Sequence, residues 1–267
     1  MAPDYFLCAS FGNDSLALIQ WAHERGLRNV VVLYNNTGWA HPAWAGRVKR
    51  CRAWAESLGF ETHETESMGM PALVKWKRGW PRQGIQFCTE HLKIIPSIAF
   101  MAERDPLAQA ICLVGKRRAE SRERSNAPEW MWPVSANGNR AVWQPLVEHS
   151  TEARDALLDR AGFKPLPHRS RECNPCVNSS RADIVLFAKT KSEVAKVRNT
   201  EADAGLNKKG GARTMFRPKS KGGALGIDEV IDWAKSGRGR YVAGQMVFDL
   251  DDDTGSDCLS ETAGCGA

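Results

Sequence analysis

Short apolar runs alternate along the chain with longer stretches in which apolar positions recur every three or four residues. The short runs predict buried strands, and the longer stretches predict helices with one buried face. The predicted strands cover 5–8, 29–34, 60–66, 108–114 and 142–147; the predicted helices cover 16–25, 42–58, 70–76, 88–102, 151–161, 180–197 and 228–235. This alternation predicts an α/β fold with a mostly parallel sheet and helices on both faces.

The pattern also predicts two parts of unequal size. Residues 1–200 carry every predicted strand and are expected to form one α/β domain. Residues 201–267 are expected to form a basic linker, a short helix and a flexible tail that carries two cysteines. The linker, from Lys208 to Lys221, has six basic residues, no acid and several glycines, which is typical of a mobile segment.

Composition excludes some classes of protein but does not indicate an activity. The 267 residues are 42% hydrophobic and 25% charged, which is enough for a large buried core. With no run of about 18 apolar residues and no secretion signal at the N-terminus, we expect a cytoplasmic protein that does not cross a membrane. The net charge of +6 suits a polyanion, either a nucleotide or a nucleic acid.

The turn between the first strand and the first helix is the strongest candidate for a binding site. It comprises residues 10–15, here called the phosphate loop: Ser10, Phe11, Gly12, Asn13, Asp14 and Ser15. A strand, a tight polar turn and a helix start direct backbone N–H groups and the helix dipole at one point, which suits a phosphate. An ordinary capped turn between strand and helix is the alternative interpretation.

Two further polar segments follow predicted strands. Thr37 and Gly38 come after the second strand, and a run that starts at Gly115 comes after the fourth. In open α/β sheets, ligands bind beyond the carboxyl ends of the strands. We therefore expect both segments to lie beside the phosphate loop. A solvated helix face is the alternative for the arginine-rich run.

The cysteines fall into two groups. Cys8, Cys51 and Cys112 lie in apolar or helical contexts and are expected to be core residues. The remaining five lie in polar or turn-like contexts: Cys88, Cys173, Cys176, Cys258 and Cys265. Because disulfides are rare in the cytosol, this second group indicates metal binding or thiol chemistry.

Taken together, the segments resemble the phosphoadenosine phosphosulfate (PAPS) reductase family, in the adenine nucleotide α-hydrolase or PP-loop superfamily. The phosphate loop is similar to the superfamily's Ser-x-Gly-x-Asp-Ser loop. Residues 88–96 resemble the family's Cys-x4-Lys-x2-Pro helix, and residues 115–124 resemble its Gly-x-Arg-x2-Glu-Ser-x2-Arg segment. Cys173 and Cys176 resemble half of an iron–sulfur ligand set. The order and spacing of these motifs, over residues 5–190, carry the resemblance.

The resemblance implies a role for each matching residue. The phosphate loop, with Thr37 and Gly38, would bind an adenine nucleotide: PAPS, its 5′-phosphosulfate analogue APS, or ATP. Further nucleotide-binding residues are expected in the fourth segment, at Gly115, Glu120, Ser121 and Arg124. Lys93 and Arg117 would act in catalysis by supplying positive charge, since guanidinium groups bind oxyanions bidentately.

The resemblance also implies a [4Fe-4S] cluster held by Cys88, Cys173 and Cys176. The chain departs from the family pattern because Thr89 stands where a second adjacent cysteine would be. Three interpretations remain open: Cys265 or Cys258 is the fourth ligand, the cluster keeps an open iron, or the cysteines bind zinc or act as a dithiol. We favour the cluster, with Cys265 as its fourth ligand.

Two activities follow from the resemblance. The first is an oxidoreductase that reduces a sulfonucleotide to sulfite, with Cys265 or Cys258 as nucleophile and a thioredoxin-like reductant as partner. The second is an ATP-dependent sulfurtransferase that thiolates DNA or tRNA and binds the nucleic acid through residues 208–221. A non-catalytic nucleotide-binding subunit is a third interpretation. The oligomeric state stays open, with a homodimer as one option.

Overall fold

The computed structural model describes residues 2–82, 84–121, 124–216 and 225–236. The strands in these ranges are β1 (Tyr5–Cys8), β2 (Val30–Asn36), β3 (Glu61–Glu66), β4 (Ile111–Val114), β5 (Trp130–Met131) and β6 (Val142–Trp143). The helices are α1 (Asn13–Glu24), α2 (Trp44–Ser57), α3 (Met70–Lys77), α4 (Phe87–Thr89), α5 (Ile95–Arg104), α6 (Thr151–Arg160), α7 (Arg181–Phe187), α8 (Lys191–Ala204) and α9 (Ile227–Lys235).

The six strands form one sheet in the order β3-β2-β1-β4-β6-β5. All neighbours pair in parallel except the antiparallel edge pair of β5 and β6. The chain first builds outwards from β1 to β3 and then returns to place β4 on the other side of β1. Sheets of this kind bind ligands where the order reverses, beyond the carboxyl ends of the strands. Here that point lies between β1 and β4.

Helices cover both faces of the sheet because side chains alternate along the buried strands. On β1, Leu7 belongs to the apolar cluster that α1, α2 and α6 share. The neighbouring Phe6 and Cys8 belong to a second cluster, which includes Met101 of α5 on the opposite face. The predicted fold class, a mostly parallel sheet with helices on both faces, is confirmed.

A separate apolar cluster lies outside the two sheet faces. It joins α3, α7, α8 and α9 around buried side chains that include Trp39, Trp80 and Phe187. Met215 and Phe216 of the predicted basic linker are buried in it. The predicted boundary at residue 200 falls inside α8, which runs on to Ala204, so it does not coincide with a break in the packing.

Three predicted elements differ in detail. The single helix predicted over 180–197 is two helices, α7 and α8, because the backbone adopts an extended conformation at Thr190. The strand predicted over 142–147 ends at Trp143, since Pro145 has no N–H to donate to a ladder. Residues 130–131, which lie outside every predicted strand and helix, form the edge strand β5. No helix in the described part of the chain is long and apolar enough to cross a membrane.

Candidate functional site

The phosphate loop connects β1 to α1 at the point where the strand order reverses. Phe11, in its middle, has a φ of 57°, which is uncommon for a bulky residue. Its ring is fully buried and stacks on Tyr34 at 5.5 Å between centroids. Gly12 N–H donates to Ser10 Oγ at 3.2 Å, which tightens the turn. Burial of the Phe11 ring therefore holds the loop in its unusual conformation.

The first turn of α1 begins directly after this loop, at Asn13. Gly12 is the N-cap residue, and no described side chain caps the helix. The Asn13 side chain instead binds the backbone of Leu166 through both its oxygen and its nitrogen. The N-terminal end of α1 thus keeps the uncapped amides and the dipole that favour an anion.

Gly115 brings the end of β4 against the phosphate loop. A Cβ at this position would lie 3.0 Å from the carbonyl oxygen of Asp14 and 3.4 Å from the amide nitrogen of Ser15. Real Cβ atoms rarely come so close to a backbone oxygen, so the approach requires a glycine. The motif that starts at Gly115 is therefore in contact with the phosphate loop.

Arg117 extends this contact through its side chain, which is almost completely buried. Its Nε donates to Asp14 Oδ1 at 2.6 Å, and its Nη1 donates to the carbonyl oxygen of His149 at 3.3 Å. Arg154 lies 3.6 Å from the same Asp14 oxygen. Two guanidinium groups thus surround the Asp14 carboxylate in the first turn of α1.

Glu120 lies between two arginines of the same segment. It forms an ion pair with Arg124, and its Oε1 lies 4.0 Å from Arg117 Nε. Ser121 is buried beside them, and its hydroxyl has no hydrogen-bond partner within the described ranges. The segment therefore forms a buried charged network rather than a solvated helix face.

The turn after β2 forms the other side of the site. Thr37 Oγ1 donates to the carbonyl oxygen of Glu172 at 2.8 Å. Gly38 has a φ of 61°, and a Cβ there would lie 2.9 Å from the Cα of Gly69. Thr37 is thus bonded to the loop that carries the cysteines, and Gly38 is in close contact with the residue that precedes α3.

Lys93 contacts the loop that carries Cys173 and Cys176. It lies just after α4, the short helix that carries Cys88. Residues Glu90–Ile94 form a π-helical turn between α4 and α5, a distortion that is frequent at functional sites. The turn directs the buried Lys93 to Glu172, with Nζ 2.6 Å from Oε1. Glu172 therefore joins Thr37 through its carbonyl group and Lys93 through its carboxylate.

Comparison with known protein families identifies the family to which the domain belongs. Residues 4–191 match the model of the phosphoadenosine phosphosulfate reductase domain. This chain belongs to the PAPS reductase domain family. The match covers β1 to the start of α8 and includes each segment described above, so the whole candidate site lies within the family domain.

A search of curated proteins found an uncharacterized 37.8 kDa protein of Escherichia phage 186, 25% identical over 158 residues. The alignment covers 54% of this chain and 46% of that relative, less than two thirds of its length.

Three solved structures are similar at 13–14% identity. A Candida auris PAPS reductase in a phosphate complex covers 61% of this chain and 75% of its own, with a TM-score of 0.43. The U34-tRNA thiolase NcsA of Methanococcus maripaludis, with its [4Fe-4S] cluster, covers 75% and 68%, with a TM-score of 0.44. An NH3-dependent NAD synthetase of Campylobacter jejuni covers 75% and 79%, with a TM-score of 0.40.

In this PAPS reductase family domain, the cysteines predicted to bind metal are only partly described. Cys88 is buried in the apolar cluster that joins α3, α7, α8 and α9. The half-buried Cys173 packs against that cluster. Cys173 Sγ lies 4.0 Å from Thr37 Oγ1, and Cys176 Sγ accepts a hydrogen bond from the amide of Asn178 at 3.5 Å. Cys258 and Cys265 lie outside the described residues.

In the part of the chain that the structure describes, no group of three or more His, Cys, Asp or Glu side chains could hold a metal ion. The [4Fe-4S] cluster, like zinc, therefore stays a prediction. Cys8, Cys51 and Cys112 are buried, as expected of core residues. Burial raises the pKa of Cys51 to about 11, so this thiol is protonated at neutral pH.

Residues 165–172, which we call the covering loop, are a part of the site that sequence reasoning missed. A Cβ on Gly12 would lie 3.1 Å from the Cβ of Ser170, and Leu166 is bonded to Asn13. Arg171 accepts a bond at its carbonyl from the His41 amide. The only signal in the sequence was the dense polar run 168–172 directly before Cys173.

Burial shifts the pKa values of the titrating groups near the site in favour of their neutral forms. Burial lowers the pKa of His149, and the adjacent Arg117 lowers it further. Burial also lowers the pKa of His41, helped by Arg171. Burial, followed by the Glu172 carboxylate, raises the pKa of Tyr34. Neutral histidines and a protonated tyrosine therefore surround the loop at neutral pH.

Proposed function

We propose that this chain binds an adenine nucleotide at the phosphate loop and reduces a sulfonucleotide, PAPS or APS, to sulfite. The observation that carries the proposal is the contact between two family motifs, the phosphate loop and the segment that starts at Gly115, at the point of strand reversal. Gly115 lies against Asp14, Arg117 pairs with Asp14, and the domain match spans them both. Such an edge favours a phosphorylated ligand.

Residues of different chemistry would bind different parts of the nucleotide. The amides at the start of α1, with the hydroxyls of Ser10 and Ser15, would contact the phosphate groups. Arg117 and Arg124 would supply the compensating charge, with Glu120 orienting the Arg124 guanidinium group. Lys93 would bind the sulfate end, once that anion competes with Glu172 for its ammonium group.

The chemical step needs a thiol and a reductant. A thiolate of Cys265, or of Cys258, would attack the sulfur of the bound sulfonucleotide. The bond between this sulfur and the bridging oxygen breaks, and the nucleotide leaves as a phosphate anion. A dithiol protein of the thioredoxin class then attacks the resulting thiosulfonate, releases sulfite, restores the cysteine and becomes a disulfide. No step is assigned to a metal cluster.

The alternative activity is an ATP-dependent sulfurtransferase that thiolates DNA or tRNA. It is supported by the Asn13-Asp14-Ser15 half of the phosphate loop, which resembles ATP pyrophosphatases more than reductases. This enzyme would form AMP and pyrophosphate in the presence of its acceptor. The two activities therefore differ in products that can be measured on the same preparation.

The test uses the full chain with PAPS, APS or ATP. We expect sulfite from PAPS or APS in the presence of thioredoxin, thioredoxin reductase and NADPH. Replacing both tail cysteines by serine should abolish sulfite release and leave nucleotide binding unchanged; activity that survives would exclude them as nucleophiles. AMP and pyrophosphate without sulfite would favour the alternative, and absence of nucleotide binding would contradict both.

A further inference from the structure

A second basic surface lies outside the candidate site and is built from two segments far apart in sequence. The first is the C-terminal half of α3 with the residues that follow it, 75–82. The second is a hairpin over residues 205–213, held by the antiparallel bridge between Leu206 and Ala212. The Asn207 side chain accepts from the amides of Lys209 and Gly211, which closes the turn. We call the two segments together the basic platform.

The hairpin corrects the expectation of a flexible linker for residues 208–216. Gly210 adopts a φ of 77°, and its amide donates to the Asn207 carbonyl at 3.0 Å. After the turn, Met215 and Phe216 are buried in the cluster that joins α3 and α8. Lys208 and Lys209 are thus presented at the tip of an anchored turn. Residues 217–221 lie outside the described part of the chain.

Two contacts hold the segments side by side. Trp80 Nε1 donates to the carbonyl oxygen of Arg213 at 3.1 Å, which joins the end of the first segment to the base of the hairpin. Lys75 also lines a shallow surface cavity together with Asp203 and Ala204, the last residues before the hairpin. The platform is therefore one continuous surface.

Within the described ranges, no carboxylate pairs with the cations of this surface. The exposed cations are Lys75, Lys77, Arg78, Arg82, Lys208 and Lys209. None of these six forms an ion pair with a residue in the described ranges. A group of unpaired cations on one surface attracts a polyanion and releases its counterions on binding.

Aromatic and apolar side chains lie among these cations. Trp76 is 56% exposed, and Lys77 Nζ lies 4.3 Å from the centre of its ring. Ile85 and Leu206 are also exposed, at 49% and 62%. Exposed aromatic rings between cations are typical of surfaces on which the bases of a single strand stack while its phosphates are neutralised.

The platform is also connected to the candidate site. Gly69, directly before α3, contacts Gly38 of the β2 turn, and the eight residues of α3 then span about 12 Å. Trp80 packs edge-on against Trp39, one residue after Gly38, at 5.9 Å. A flexible strand on the platform can thus extend towards the sheet edge, which a flat membrane surface cannot follow.

We propose that the basic platform binds single-stranded nucleic acid, with its lysines on the phosphates and Trp76 stacked on a base. The inference goes beyond the proposed function, because it rests on this surface and not on the chemistry at the phosphate loop. It holds for either sulfur chemistry and makes its own predictions about salt dependence and strandedness.

The test titrates the full chain into fluorescently labelled single-stranded 20-mers of DNA and RNA, and into the matching duplex, at several salt concentrations. We expect single strands to bind with an affinity that falls steeply with salt. The variant K75Q/K77Q/K208Q should bind about tenfold more weakly at 0.1 M salt. The slope of log K against log salt should become shallower by about 2, because each phosphate that a cation neutralises on a single strand contributes about 0.7 to it.

The matched control is R28Q/K49Q/R50Q, which removes three exposed cations from other surfaces and changes the net charge equally. It should bind like the unmodified protein. W76A should weaken single-strand binding severalfold with little change in the salt slope, and W76F should restore part of the affinity.

Three results would overturn the inference. Equal weakening in the control and the platform variant would show that net charge alone drives binding. Duplex binding as tight as single-strand binding, with no effect of W76A, would remove the stacking role. No oligonucleotide binding, together with capture by phosphatidylserine vesicles, would assign the surface to membranes instead. Nucleotide binding at the phosphate loop, measured in parallel, keeps this outcome separate from that of the proposed function.

Discussion

Cations at the sheet edge and cations on the basic platform have opposite environments. Arg117 and Arg124 are buried, and each is paired with a carboxylate of the chain itself. Lys77 and Lys208 are exposed and have no ion pair within the described ranges. A buried pair fixes geometry, because breaking it leaves an uncompensated charge. An exposed unpaired cation adds little to stability and is available to a partner.

Loss of Arg117 should have the largest effect. Among the cations that the structure describes, R117A leaves Asp14 with only the more distant Arg154. We therefore expect the free energy of unfolding to fall by about 3 kcal/mol and nucleotide binding to be lost. Denaturant unfolding and calorimetric titration measure the two quantities. The control R104A removes an exposed pair with Glu61 and should cost at most about 1 kcal/mol. Equal effects of both variants would contradict the assignment of Arg117 to the site.

Replacement of Glu172 should change stability and nucleotide affinity in opposite directions. E172Q removes the negative charge that faces the buried Lys93, so stability should fall by about 1–3 kcal/mol. Glu172 would then no longer neutralise the Lys93 ammonium group, and nucleotide affinity should rise severalfold. Unchanged or weaker binding at 25 °C, measured by calorimetry on folded protein, would show that Lys93 does not contact the ligand.

Gly115 tests the contact between β4 and the phosphate loop. G115A places a Cβ 3.0 Å from the Asp14 carbonyl oxygen, so the loop must shift, at a cost of about 1–3 kcal/mol and a clear decrease in nucleotide affinity. The control is G46A on α2, where a Cβ meets nothing within 4 Å. It should be neutral or stabilising by up to about 1 kcal/mol. A harmless G115A would mean that the two segments are not packed as described.

The smallest expected effect is a dependence of stability on pH that arises from His149. Its pKa is lowered from 6.5 in the folded protein, so the unfolded chain binds more protons as the pH falls below about 6.5. Stability should therefore decrease from pH 7 towards pH 5, and H149N should make this decrease shallower. Thermal unfolding at several pH values measures both. An unchanged slope in H149N would assign the acid sensitivity to other groups.

Local patterns predicted the parts of this molecule that depend on short-range order. Alternation of strands and helices gave the sheet, and the glycine and serine spacing located the phosphate loop. The position of the Gly115 run beside the phosphate loop followed from the rule that strand ends meet at one edge. These features need only the identity of neighbouring residues and a general property of parallel sheets.

Long-range contacts were beyond the reach of the same patterns. Lys93 and Glu172 are separated by 79 positions, and no periodicity links a helix residue to a loop residue at that distance. The second core, in which Trp80 meets Trp39, was also missed because each tryptophan lies in a polar local context. The predicted roles of Cys258 and Cys265 fall outside the described residues and stay predictions.

The most direct test of the account is hydrogen exchange of the full chain with and without a saturating adenine nucleotide, followed by mass spectrometry of peptides. The account predicts that amides in residues 10–15, 115–121 and 166–172 become protected together, while those of the basic platform do not change. Protection confined to one of these segments, or located only elsewhere in the chain, would contradict a single nucleotide site at the sheet edge.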